Sequence, residues 1–230
     1  GTNNVGSETP ASPSQIEPAI PSEYDEMPTT PWDDPENPDN PPAEPTTIDA
    51  PTASPAQEAQ FPSTGGEITL DCTTDGATIY YTISDTEAGL TDPADAANKN
   101  RVPYDKGTKI PITKETYIWA VAVKDNKTSE PLKCHYTVLA EGAVVRPAAK
   151  PGPAYPVVSG TTITLTTTDT VDTIYYTTGS TPDAAADPTK EDSGRLIYNS
   201  ETGIVITEAV TIKAVAKKGG KYSEVAVFTY

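Results

Sequence analysis

The sequence contains little of what most enzymes use for catalysis, with one histidine and two cysteines in 230 residues. Aromatic residues make up only 7% of the chain and apolar residues 35%, so any hydrophobic core is small and mainly aliphatic. No run of 18 apolar residues occurs, so we expect no membrane-spanning helix. The net charge of −17 argues against a nucleic-acid partner and against docking on an acidic membrane surface.

Proline and negative charge are concentrated at the N-terminal end of the chain. Residues 1–60 hold 13 of the 24 prolines and twelve of the 33 acidic residues, and the first basic residue is Lys99. Each proline removes a backbone donor and favours extended geometry in the residue before it. We therefore expect residues 1–46 to form an acidic, proline-rich, extended arm or linker. Its apolar residues, Trp32 among them, leave open that the arm lies along a folded surface.

From residue 61 onward, short runs rich in Thr, Val, Ile and Tyr alternate with Gly, Asp and Pro, which is typical of an all-β fold. Residues 68–82 align with residues 163–177 at an offset of 95. Four further segments align at an offset of 94: Tyr104 with Tyr198, 110–113 with 204–207, 119–122 with 213–216, and 129–130 with 223–224. The sequence thus predicts two copies of one domain, at residues 47–141 (module one) and 142–230 (module two).

Each module is predicted to contain about seven short strands. In module one we place them near residues 50–54, 67–73, 77–83, 102–105, 109–113, 116–123 and 131–138. Alternation points Leu70 and Cys72 toward the core, and it points Val121 and its counterpart Val215 toward the opposite face. Seven half-buried antiparallel strands in under a hundred residues predict a β-sandwich of the Ig-like or fibronectin-III-like kind.

Module two carries a series of motifs that a known family shares. They are Ile-Tyr-Tyr-Thr at 174–177, Gly-Ser-Thr-Pro at 179–182, Tyr198, Ile-Val-Ile at 204–206, Thr-Ile-Lys-Ala-Val-Ala at 211–216 and Ser-Glu-Val-Ala at 223–226. This series resembles the chitobiase/β-hexosaminidase C-terminal domain family. Module one departs from it, with Ile-Ser-Asp-Thr at 83–86 and Trp119 in place of a lysine. The resemblance implies an Ig-like accessory module of secreted and surface-attached bacterial proteins, found beside glycan-processing domains. Since the chain lacks the hexosaminidase catalytic barrel, the resemblance implies no hydrolase activity.

Both cysteines fall in module one, at Cys72 and Cys134, on strands predicted to face the core. Cysteines on an early and a late strand of a sandwich could meet across the core, and an exported protein permits a disulfide between them. The alternative is a pair of separate buried thiols.

Tyr80, Tyr117 and Trp119 are predicted to lie together on the outer face of one sheet. Flat aromatic rings on a rigid sheet can stack on sugar rings. The same patch could equally pack against another domain or another protein. It is the strongest binding candidate in the sequence.

The remaining candidates for chemistry are weak. The single histidine, His135, is expected on an exposed strand face with no catalytic role, and no cofactor motif occurs. Four carboxylates crowd one predicted loop and are weak calcium ligands at most: Asp183, Asp187, Glu191 and Asp192.

Two functions from different classes follow from this sequence. The first is a non-catalytic spacer of an exported bacterial cell-surface protein, attached for example as a lipoprotein, that positions another domain. The second is a glycan-binding module that uses the aromatic patch. We expect a monomer whose partners are a polysaccharide or a surface protein.

Overall fold

The computed structural model describes Pro38, residues 47–153 and residues 156–230. The chain divides into two compact units, Gly1–Glu44 and Pro45–Tyr230, and the folded modules belong to the second. The predicted acidic arm at residues 1–46 lies outside the described residues, apart from Pro38. Among the residues described, no helix is long and apolar enough to cross a membrane.

Module one is built from nine strands and one 3₁₀ turn. The strands are β1 (Thr52–Ser54), β2 (Gln60–Phe61), β3 (Gly66–Asp71), β4 (Thr78–Ser84), β5 (Val102–Tyr104), β6 (Ile110–Ile112), β7 (Thr116–Lys124), β8 (Lys127–Thr128) and β9 (Leu132–Val138), and the 3₁₀ turn is Glu87–Gly89. A smaller sheet has the order β1-β3-β6, and a larger one has the order β2-β9-β7-β4-β5. The short strand β8 pairs with β7.

Module two repeats this arrangement with eight strands. They are β10 (Ala148–Lys150), β11 (Thr161–Thr166), β12 (Thr173–Gly179), β13 (Leu196–Ile197), β14 (Ile204–Ile206), β15 (Thr211–Lys218), β16 (Lys221–Tyr222) and β17 (Ala226–Thr229). The smaller sheet is β10-β11-β14, and in the larger sheet β12 and β15 form the centre with β13, β16 and β17 around them. The chain therefore folds as two tandem fibronectin-III-like β-sandwiches, as the sequence predicted.

All seven strands expected in module one are present, within about two residues of the predicted bounds. The sequence missed β2 and β8, each of two residues. Strand β2 pairs in parallel with β9 after the chain has left the smaller sheet. Phe61 of this strand is buried and packs edge-on against Tyr136, with 5.8 Å between ring centroids. A Cβ atom on Gly66 would lie 2.4 Å from the Phe61 ring, so a larger residue there would have to displace this buried ring.

Each sandwich is closed by tyrosine hydroxyls that reach from the larger sheet to the strands of the smaller one. The N–H of Leu70 donates to the hydroxyl of Tyr104 at 3.1 Å, and the N–H of Leu165 donates to the hydroxyl of Tyr198 at 3.0 Å. These tyrosines are the isolated pair that aligned at an offset of 94. Their hydroxyls satisfy backbone donors of β3 and β11 at residues that β6 and β14 do not reach.

A second pair of tyrosines acts at the other edge of each sandwich. The hydroxyl of Tyr136 donates to the carbonyl of Pro55 at 2.9 Å, and that of Tyr230 donates to the carbonyl of Pro151 at 2.6 Å. Pro55 and Pro151 each directly follow the first strand of their module. Burial raises the pKa of Tyr230, because its anion would lose solvation.

We predict that Tyr104→Phe lowers the free energy of unfolding of module one by about 1–3 kcal/mol, because it leaves the buried Leu70 N–H without a partner. The hydroxyl of Tyr104 also donates to the carbonyl of Thr108 at 2.5 Å, so a second group loses its bond. Urea unfolding followed by circular dichroism measures the loss. The control is Tyr80→Phe on the same sheet, and equal stability of the two variants would refute the cross-sheet role.

Candidate functional site: the junction between the modules

The aromatic patch lies on one face of the larger sheet of module one. Trp119 is the cross-strand neighbour of Thr82, and Tyr117 that of Ser84, while Tyr80 neighbours Val121. Cross-strand neighbours project to the same side of an antiparallel pair. The three rings therefore share a face, and each is only partly exposed.

Every ring of the patch has a side chain of the same module against it. The guanidinium carbon of Arg101 lies 3.9 Å from the centroid of the Tyr80 ring, and Lys133 Nζ lies 4.4 Å from that of Trp119. Tyr117 stacks on His135 with 4.3 Å between centroids and 5° between planes. The ring surfaces are therefore partly used in packing within the module.

The outer face of the larger sheet is covered further by the loop that follows β4 or β12. Buried Thr82 donates its hydroxyl to the carbonyl of Thr91 at 2.7 Å, and Thr177 of module two donates to that of Ala186 at 2.6 Å. A Cβ on Gly179 would lie 2.3 Å from the backbone nitrogen of Ala185, which shows how closely the loop approaches.

This cover corrects the expectation for Val121 and Val215, which are buried rather than on an open face. Val215 neighbours Tyr175 on β12, and Arg195 stacks on the Tyr175 ring at 3.8 Å. Arg195 thus repeats the role of Arg101, 94 residues earlier. The sequence signal was available, because the two arginines align at the same offset as the rest of the repeat.

His135 lies between carboxylates. Its Nε2 is 2.8 Å from Glu115 Oε1, and its Nδ1 is 3.7 Å from Glu58 Oε2. Its contacts are thus two acids and the Tyr117 ring, whereas nucleophilic catalysis needs a hydroxyl or thiol beside the base.

The four weak calcium candidates do not assemble into a site. Asp187 Oδ1 accepts hydrogen bonds from the N–H and hydroxyl of Thr189, which lower the pKa of Asp187, and Glu191 lies 3.9 Å from Arg195. Within the described ranges, no group of three or more His, Cys, Asp and Glu side chains is arranged to hold a metal ion.

The disulfide considered from the sequence is not formed, since Cys72 and Cys134 are both free thiols. Cys72 follows the last residue of β3 and donates its thiol to the carbonyl of Asp49 at 3.3 Å. Cys134 lies within β9 opposite Ile118, in the core of the sandwich. Burial raises the pKa of the Cys134 thiol to about 12.

The linker between the modules is short, with an exposed first half and a mostly buried second half. Strand β9 ends at Val138 and β10 begins at Ala148. Val144, Val145 and Pro147 in the linker are buried, and Ala148 belongs to the hydrophobic core of module one. The buried, apolar second half of the linker anchors the chain to the folded modules, unlike a flexible linker, which is polar and solvated throughout.

Gln60 connects module one to three separate segments of the chain beyond β9. It is 5% exposed and lies on β2, which is held to β9. Its amide donates to Glu224 Oε2 at 3.1 Å, its side-chain oxygen accepts from the Arg146 N–H at 3.0 Å, and its backbone carbonyl accepts from the Thr168 hydroxyl at 2.5 Å. These partners satisfy the buried polar atoms that Gln60 brings to the junction.

Arg146 reinforces the same contact from the linker. Its Nη2 donates to the carbonyl of Glu58 at 2.8 Å, and its Nη1 lies 3.5 Å from Glu224 Oε2. The position of Glu224 is set by Ser223, whose hydroxyl donates to the Glu224 carbonyl and accepts the N–H of Ala216. Gln60, Arg146, Thr168 and Glu224 together form the junction cluster.

A groove of about 630 Å³ runs beside the junction, between the first strands of the two modules. It is lined mainly by the chain from Thr52 to Ala56 and from Ala149 to Gly152, with Asp71 and Lys150 as its charged residues. Hydroxyl side chains also line it, from Thr52, Ser54, Thr69 and Thr166.

Comparison with known proteins gives one family match, in module two. Residues 163–230 match the family described as "Fn3 associated". No curated protein sequence matches the chain.

Several solved structures match with low scores. A two-domain fibronectin type-III segment from chicken tenascin is 14% identical with a TM-score of 0.27, and the match covers 79% of this chain and 99% of that one. The ligand-binding domain of human OSCAR is 12% identical with a TM-score of 0.27, covering 79% and 98%. The FN1–FN3 domains of chicken CNTN1 are 10% identical with a TM-score of 0.23, covering 79% and 65%. The fold assignment follows from the strand order and not from these scores.

We predict that native protein takes up one thiol-alkylating group and unfolded protein takes up two. Cys72 is partly exposed, whereas burial keeps Cys134 protonated and out of reach of the reagent. Intact mass after iodoacetamide treatment, with and without denaturant and in the absence of reductant, counts the adducts. No adduct in denaturant would reveal a disulfide and contradict the structure.

Proposed function

We propose that the two modules form a non-catalytic spacer that holds another part of its parent protein at a fixed orientation. The supporting observation is the junction cluster, which binds β2 of module one to the linker and to two segments of module two. A spacer with a fixed geometry needs such a connection, because otherwise adjacent domains in one chain move relative to each other.

The setting we propose is the surface of a bacterium, in an exported protein. This rests on the resemblance of module two to the chitobiase/β-hexosaminidase C-terminal domain family. In that setting the modules position a neighbouring domain, and the acidic residues 1–46 link them to an attachment point.

The alternative, glycan binding by the aromatic patch, receives less support from the geometry. Arg101, Lys133 and His135 lie against the three rings that a sugar would have to cover. Packing within the module accounts for these rings, and the spacer function also accounts for the hydrogen bonds of the junction cluster.

We predict that Gln60→Ala combined with Arg146→Ala broadens the distribution of distances between the modules. The change removes both side-chain bonds to Glu224 and leaves the core of each sandwich intact. Pulsed electron spin resonance between labels at Lys106→Cys and Ser200→Cys measures the distribution. Cys72→Thr, which introduces the residue found at Thr167 of module two, removes the partly exposed native thiol.

The matched control is Lys109→Ala, which removes an exposed ion pair with Glu67 inside module one. It should leave the distribution narrow and unchanged. A broad distribution of label-to-label distances in the protein with an unmodified junction would contradict the proposal that the spacer has a fixed geometry. Binding on a polysaccharide array that Trp119→Ala abolishes without loss of fold would instead support the glycan module.

A further inference from the structure

The two modules differ at one lateral side, where the edge strands of both sheets lie. In module one these strands are β5 and β6, and in module two they are β13 and β14. The chain passes directly from one edge strand to the other through residues 198–203, so both edges belong to the same side of the sandwich. We call this the edge side of each module.

Prolines occupy the edge side of module one. Pro103 pairs with Tyr80 on β4, and Pro111 pairs with Glu67 on β3. Proline has no N–H, so it fits an edge strand where the nitrogen points away from the sheet. Prolines at edges prevent the pairing of a further strand.

Module two has no proline at either matching position. Ile197 pairs with Tyr175 and Val205 pairs with Thr162, which are the same registers at an offset of 94 to 95. These side chains are exposed, Ile197 by 69% and Val205 by 58%, and the adjacent Leu196 is 55% exposed. The edge side of module two is therefore apolar and lacks the protection found in module one.

The backbone amides at these positions point outward. The N–H of Tyr198 donates to the carbonyl of Ile174, so the preceding amide, that of Ile197, faces away from β12. The carbonyl of Ile206 accepts from the N–H of Gly160, so both polar groups of Val205 face away from β11. Each edge thus presents a donor and an acceptor of the kind that an added strand would use.

In place of the monomer expected from the sequence, we propose that the edge side of module two pairs with the same side of a second copy of this chain, through antiparallel β14 strands centred on Val205. In this register the N–H and carbonyl of Val205 meet the carbonyl and N–H of Val205 in the other copy. The contact is isologous, with one patch facing itself across a two-fold axis. Pairing of β14 with β6 of module one would be weaker than pairing of two β14 strands, because Pro111 on β6 has no N–H to donate.

Charge does not oppose contact with a second copy at this edge. Module two carries nine acidic and eight basic residues, so two such modules approach with little repulsion in a chain whose net charge is −17. In the Val205-centred register Glu208 lies opposite Thr202 and Glu201 lies opposite Ala209. No carboxylate therefore faces another across the pair.

Sedimentation equilibrium of the full chain over a concentration series tests the proposal. The average mass should rise toward twice the monomer mass, and Val205→Pro should raise the dissociation constant roughly tenfold or more, as the loss of two backbone bonds implies. The fold should survive, because module one holds Pro111 in the same register. Val205→Lys, which keeps the N–H but adds a repelling charge, should weaken pairing in the same way.

Pro111→Val in module one is the matched control, and it should associate at least as strongly as the unmodified chain. Hydrogen exchange at the Val205 amide should slow as concentration rises. The proposal is overturned if the unmodified chain stays monomeric at every concentration, or if Val205→Pro and Val205→Lys both fold and dimerise as the unmodified chain does.

Discussion

The arrangement of the two modules depends on the buried amide of Gln60. This side chain sits on a two-residue strand that belongs to module one, yet its partners are the linker at Arg146 and the segment before β17 at Glu224. A buried amide without partners costs about 1–3 kcal/mol. If module two moved away, Gln60 would lose its hydrogen bonds to Glu224 and Thr168. The free energy cost of leaving Gln60 without these partners therefore favours one position of module two.

The same polar contacts recur in both modules. They explain why a tyrosine and an arginine are found at matching positions of the two copies. Tyr104 and Tyr198 accept backbone N–H groups across the sandwich, and Arg101 and Arg195 cover a tyrosine on the outer face. Outside this shared framework the copies diverge. Gln60 and Phe61 have no counterpart that pairs in the same way among the described residues of module two, and the edge prolines occur in module one alone.

The alternation of β-branched and polar residues predicted the strands and the sandwich, because burial of one face imposes a period of two. It placed Leu70 in the core and Cys72 against it, but it could not show that Cys72 lies beyond the end of β3. It assigned Val215 to an open face, since a strand pattern does not reveal a loop pinned over the sheet by Thr177. It also could not predict the junction, where Gln60 and Glu224 are 164 positions apart in sequence. The offset of 94 between Arg101 and Arg195, by contrast, could have predicted from sequence that both arginines have the same role.

The rotational diffusion of the two modules, from ¹⁵N relaxation of the chain at low concentration, tests most directly whether the junction fixes their orientation. If the junction cluster holds, amides of residues 52–138 and 148–229 fit one shared diffusion tensor. If the amides of each module require their own tensor, the modules tumble independently and the account of a fixed spacer is wrong.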